Sequence, residues 1–265
     1  SLPDTIKYCE GTVTVFFVPS RAGSFNIPDS SVVLGGYEGV TGDTLATRDW
    51  VCNQTILCGD IGISGDSTDN SYHVVVSTNI DTAIIDGFVI SGGNADTTYP
   101  YSAGGGWYNN GSGTGNISKP TIINCILSGN SANEGGGMNN DGRNGGNSSP
   151  ILINCIISGN TATSYGGGVD NVGLNGKSNP TFINCIVSGN KAGMEGGGID
   201  NYAEEGESSS TLINCVVSGN FSAGTGGGFY NSALNGISNS ILVNCILWNN
   251  DAGVAGPIIS ENLGS

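Results

Sequence analysis

IINCILSGN at 122–130, LINCIISGN at 152–160, FINCIVSGN at 182–190, LINCVVSGN at 212–220 and LVNCILWNN at 242–250 are copies of one segment, repeating every 30 residues. Each of the first four is followed by three glycines, an apolar residue, a variable residue and Asn: GGGMNN at 135–140, GGGVDN at 166–171, GGGIDN at 196–201 and GGGFYN at 226–231. A degenerate earlier copy reads IIDGFVISGGN at 84–94 and GGGWYN at 104–109. The Gly, Asn, Ser and β-branched content and the lack of a 3.6-residue period exclude helical repeats. Short strands punctuated by Gly and Asn point instead to an all-β solenoid, a right-handed parallel β-helix of eight or nine coils with about 30 residues in each regular coil. A coil cannot bury its own apolar face, so coils stack at the spacing of paired strands, about 4.8 Å.

The expected organisation is one β-helix domain over 1–265. It has irregular N-terminal coils at 1–83, the degenerate coil at 84–120, regular repeats at 121–250 and an incomplete terminal coil at 251–265. Stacking turns each sequence column into a ladder. Asn130, Asn160, Asn190, Asn220 and Asn250 form one. Asn109, Asn140, Asn171, Asn201 and Asn231 form a second, and Asn124, Asn154, Asn184, Asn214 and Asn244 a third. An amide has two donors and two acceptor sites, enough to bond both to its neighbours and to turn backbone. Cys125, Cys155, Cys185, Cys215 and Cys245 form a ladder of reduced, buried thiols, because parallel side chains on adjacent rungs have poor disulfide geometry. Cys9, Cys52 and Cys58 lie outside it, and a Cys52–Cys58 bridge across a short loop is compatible with their spacing.

The chain has 22 acids against 7 bases, a formal charge of −15. That argues against nucleic acid and anionic membranes as partners, since both need a basic patch. The acidity serves either solubility or cation binding. No run of about 18 apolar residues spans a membrane. No basic, then apolar leader opens the chain, so a secreted protein would begin here downstream of a removed signal.

The NC-x-x-SGN and GGG-apolar pair resembles the repeats of chlamydial polymorphic outer-membrane proteins and of secreted pectate-lyase-like β-helix proteins. VVLGGYEG at 32–39, RDW at 48–50 and TILCGDI at 55–61 resemble the opening coils of such surface proteins. The resemblance implies the β-helix fold and an extracellular or cell-surface location. It fixes no activity, because this fold hosts lyases, adhesins and passengers alike. This chain departs from the usual pattern beside each Cys, where Thr is common. Here stand Ile123, Ile153, Ile183, Ile213 and Val243, and Ile126, Ile156, Ile186, Val216 and Ile246. If alternation holds, they form two outward aliphatic stripes, a patch of several hundred Å2 in the size range of interaction surfaces. A local bend or an N-terminal segment would cover it within the chain; otherwise a second subunit would. The terminal 254–265 segment reads as a coil that breaks off, and an open solenoid end invites end-to-end addition.

No Ser-His-Asp set, zinc cluster or phosphate loop is present. The one His, His73, precedes a VVV strand and reads as a packed or surface residue. Asp170 and Asp200 precede their ladder Asn and stack on adjacent coils, pointing outward, in a column that continues through Tyr108, Asn139 and Tyr230. Two acids so close either raise a pKa, as in a glycosidase pair, or recruit a cation; as solvated surface charges they would be screened. Tyr108 and Tyr230 would serve as carbohydrate-stacking residues. Asp60, Asp66, Asp69 and Asn70 in GDIGISGDSTDNS at 59–71 are candidate Ca2+ ligands, with local turn bonding as the competing reading. The leading expectation is a self-associating structural or adhesive surface protein that requires no cofactor. The other is a carbohydrate-active enzyme or carbohydrate-binding module, a polysaccharide lyase or glycoside hydrolase if catalytic.

Overall fold

The computed structural model describes residues 6–9, 12–16, 20–40, 42–256 and 259–263, the first two and the last as strand backbone only. It is a parallel β-solenoid of about seven turns with about 30 residues per turn. One regular coil runs through Ile151–Ile153, Ile156–Ser158, Thr161–Tyr165, Val169–Val172 and Lys177–Ser178. Each strand pairs in parallel with its counterpart on the next coil, for example Leu152 with Phe182, Ile157 with Val187 and Asn171 with Asn201.

The period-2 pattern sets which side chains enter the core. Ile122, Leu152, Phe182 and Leu212 point inward, as do Leu127, Ile157, Val187 and Val217. Between the two strands the chain turns at Asn124, Asn154, Asn184, Asn214 and Asn244, whose φ of +51° to +55° lies in the left-handed region that Asn tolerates. That turn directs the following Cys inward. Cys125, Cys155, Cys185 and Cys215 are buried and Cys245 half-buried, all as free thiols. Their S–H groups donate to carbonyls two residues back, such as Cys125 to Ile123 at 3.2 Å. Cys52 and Cys58 are also free, so the bridge between them is not formed. Cys9 lies outside the residues whose side chains are described.

The coil count is lower than eight or nine because the first coils are long. Val32 pairs with Ile84, about fifty residues away, and loops at 35–54 and 59–74 take up the excess. The segments Ile6–Cys9 and Thr12–Phe16 form an antiparallel pair, which joins the solenoid through Val13 and Thr55. Ile259–Leu263 continues the last coil by pairing with Phe229–Ala233.

Both aliphatic columns point outward. Apart from the exposed Ile186, their members are half-buried in the middle coils, and they are exposed at the end, where Ile246 is 61% exposed. The 35–54 loop reaches only the first rungs, where Trp50, Val51 and Gln54 meet Ile126 and Ile156 around a hollow of about 230 Å3. Arg48 anchors this loop by pairing with Asp86 at 2.7 Å. Among the described residues no helix is long and apolar enough to cross a membrane.

Candidate functional site

The register places Tyr108, Asn139, Asp170, Asp200 and Tyr230 opposite one another on consecutive coils. A second column precedes the glycine triplets: Glu134, Tyr165, Glu195 and Thr225. The triplet between the columns is a tight bend. The first glycine has φ near +60° in every regular coil, and a Cβ on Gly196 would lie 2.6 Å from the Cβ of Asp200. With nothing larger than hydrogen at the bend, the two columns fold toward each other and enclose a cleft of about 390 Å3. Glu134, Tyr165 and Glu195 line one wall and Asp170, Asp200 and Tyr230 the other. Arg143, Val172, Tyr202 and Ser232 complete it.

Here the structure corrects one expectation. Asp170 and Asp200 face away from the core, yet each is only 2% exposed. They are not screened surface charges, because the pre-glycine column overhangs them. Asp170 accepts a hydrogen bond from the Asn139 amide at 2.7 Å. Asp200 Oδ1 is buried with no hydrogen-bond partner. Burial pushes the Asp170 carboxyl up to about 8, with the nearby charge of Glu134 adding to the rise and Arg143 opposing it. Burial, then Asp170, then Glu195 push Asp200 well above the carboxylate range. Glu195 is also raised by burial, against a hydrogen bond from Tyr230.

Arg143 is the one cation in the lining. It pairs with Glu134 at 3.4 Å, lies 3.9 Å from Asp141 and stacks 5.0 Å from the Tyr99 ring centre. Tyr108 sits beside the cleft rather than in its lining. Its hydroxyl donates to Asp141 at 3.0 Å and exchanges a bond with Tyr99 at 2.8 Å. His73 is packed against Tyr108 and Tyr101, its Nδ1 3.0 Å from the Gly104 carbonyl, and burial pushes its pKa down to about 4.

The 59–71 loop does not gather its acids into a ligand set. Asp60 accepts from the Gly65 amide, Asp66 from Thr68 and Asp69 from the Ile63 amide. These are local turn bonds, as the competing reading has it. Asn70 is buried and gives its carbonyl to Arg21. Among the described residues no three His, Cys, Asp or Glu side chains converge as metal ligands.

Sequence reasoning missed Glu134, Tyr165, Glu195, Arg143 and Tyr202. The first three were marked by a readable signal, the position immediately before each glycine triplet. Comparison of the chain with protein-family models, curated proteins and solved structures finds no match to any of them.

Proposed function

We propose that this chain is an extracellular adhesive solenoid that binds a glycan in the cleft between the Glu134–Glu195 and Asp170–Tyr230 columns. The observation that carries this reading is Asp200 Oδ1, a buried acceptor left without a partner in a lined cleft. An unmet buried polar atom is costly unless a ligand meets it. The cleft volume falls within the roughly 300–1,000 Å3 of ligand sites. Tyr165, Tyr202 and Tyr230 offer rings for a pyranose face and hydroxyls for its edge. The resemblance of the repeats to secreted surface β-helix proteins supports an extracellular location. Binding is favoured over cleavage because burial pushes the Asp170 and Asp200 carboxyls in the same direction, upward, rather than setting the two apart as an acid and its ionised partner require.

The test is a titration of the purified protein against an oligosaccharide panel. Wild type is expected to bind a subset. Tyr230→Ala should weaken that binding by roughly tenfold, the scale of one aromatic contact. A folded protein that binds no glycan ends this reading.

The outward aliphatic columns support a second property, self-association through that face. Burying several half-exposed Ile side chains at about 25 cal/mol per Å2 would favour a second copy. Sedimentation velocity at micromolar concentration is expected to show dimers or larger species. The Ile153→Lys, Ile183→Lys variant should be monomeric. A monomeric wild type rules the association out.

A further inference from the structure

We infer that the glycan recognised by this cleft is an amino sugar, its ammonium group seated among Asp170, Asp200 and Glu195. The inference rests on the glycan-binding reading and adds the charge of the ligand. Charge accounting leads to it. Glu134 and Glu195 face the site from the pre-glycine wall, and Asp170 and Asp200 from the other. From the turn that follows come Arg143 and, behind it, Asp141. The remaining titratable groups are the hydroxyls of Tyr165, Tyr202 and Tyr230, with Glu204 behind Tyr202, whose hydroxyl donates to it. The guanidinium is held by Glu134, Asp141 and the Tyr99 ring. Arg143 also acts on Asp170, so Asp200 and Glu195 are left without a cation of their own and Asp170 shares one.

The upward direction found for all three carboxyls agrees with that placement. Asp200 Oδ1 is the independent observation. It is a buried acceptor on a residue of the lining, left without a hydrogen bond although the Asn201 backbone N–H reaches the same carboxyl. An ammonium offers three donors, no acceptor and the missing positive charge. The tyrosine rings add a second attraction for a cation. The same accounting disfavours polyuronates, whose carboxylates would enter a cleft whose one cation is already held by Glu134 and Asp141.

The expected chemistry is exchange of a carboxyl proton for the ammonium. At pH 6 an amine with the α-amino basicity of about 7.7–8.0 is charged in solution, whereas Asp170 is protonated in the free protein. Binding should then release about one proton per site.

Calorimetry at pH 6 in two buffers of different ionisation enthalpy tests this, with glucosamine trisaccharide and its N-acetylated form as probes. The amine form is expected to bind at least about tenfold tighter, with release of about one proton. In Asp170→Asn, Asp200→Asn the preference should fall toward one and the proton release should vanish. The wild-type proton count stands on its own if that variant is poorly folded. Equal or tighter binding of the acetylated form, or binding without proton release, overturns the amine inference and leaves the glycan reading standing. Binding of neither trisaccharide, nor of any sugar in the panel, overturns both.

Discussion

Replacing Asn190 by alanine is expected to lower the stability of the solenoid by roughly 2–5 kcal/mol, although it removes only a small polar side chain. Asn190 is fully buried at the corner that precedes the Lys191–Ala192 strand. Its Oδ1 accepts from the backbone N–H and from the side-chain amide of Asn160, both at 3.0 Å. Its own amide donates to the Ile157 carbonyl and to Asn220 Oδ1, both at 2.9 Å. Alanine would take these bonds from the Asn160 N–H and the Ile157 carbonyl, at about 1–3 kcal/mol each before relaxation, whereas the Asn160 amide keeps the Leu127 carbonyl and Asn220 Oδ1 keeps the backbone N–H at position 190. Position adds to the effect, because a solenoid holds together through nearest-neighbour interfaces and this side chain ties three consecutive coils. The melting temperature should fall by on the order of 10 °C or more. Asn184→Gly is the control. Asn184 is exposed, with φ of +53° and a side-chain bond of 3.2 Å to Asn154. Glycine takes that backbone without strain, so its cost should stay below about 1 kcal/mol. Thermal melts of the two variants decide the matter. Equal losses would mean that the buried ladder contributes no more than the turn does.

The ladders were readable before any coordinates because a fixed 30-residue period leaves one register, and every column follows from it. The pairing of Asp170 with Asp200, in line with Tyr108 and Tyr230, is an example. The inward Cys and the outward Ile on either side of it do not follow from alternation alone, because the left-handed turn at each Asn shifts the phase by one residue. The coil count did not follow, because the loops at 35–54 and 59–74 have no period. Nor did the burial of the two acids. Alternation says that Asp170 leaves the core. It does not say that three glycines bend the chain so sharply that Glu134, Tyr165 and Glu195 close over it. Arg143 comes from a turn outside the repeated segments, so no column points to it. In the 59–71 loop the composition suited calcium, while the geometry gives each carboxylate to a nearby amide or hydroxyl.

The wild-type protein should lose stability relative to Asp170→Asn, Asp200→Asn as the pH rises from 4 to 8. Asp170 titrates near 3.8 when unfolded and is raised to about 8 in the fold, and Asp200 moves in the same direction. A raised carboxyl binds its proton more tightly in the folded state. Its contribution is fully present below about pH 4, where both states are protonated. It is lost progressively up to about pH 8, where the folded state must give up the proton as well. For Asp170 alone the linkage is on the order of 5 kcal/mol, a melting-temperature difference of roughly 10 °C or more across the range. Comparison at each pH is needed because other carboxylates act in the opposite sense. Asp86, which bonds Arg48 and Asn124, is lowered despite its burial and stabilises the fold above its own titration. The difference between wild type and variant cancels that contribution. Asparagine fits the site, since Asn139 already occupies the same column and bonds Asp170. One residue along, Asn109, Asn140, Asn171, Asn201 and Asn231 run as an unbroken amide chain with bonds of 2.8–3.1 Å. A column chosen for stability alone would continue in that way through positions 170 and 200. If the variant melts above wild type at pH 8 and level with it at pH 4, the two acids cost the free protein stability, as a site awaiting a cationic ligand requires. If the two proteins track each other at every pH, the carboxyls are already compensated within the fold, and the cleft has no charge deficit for a ligand to fill.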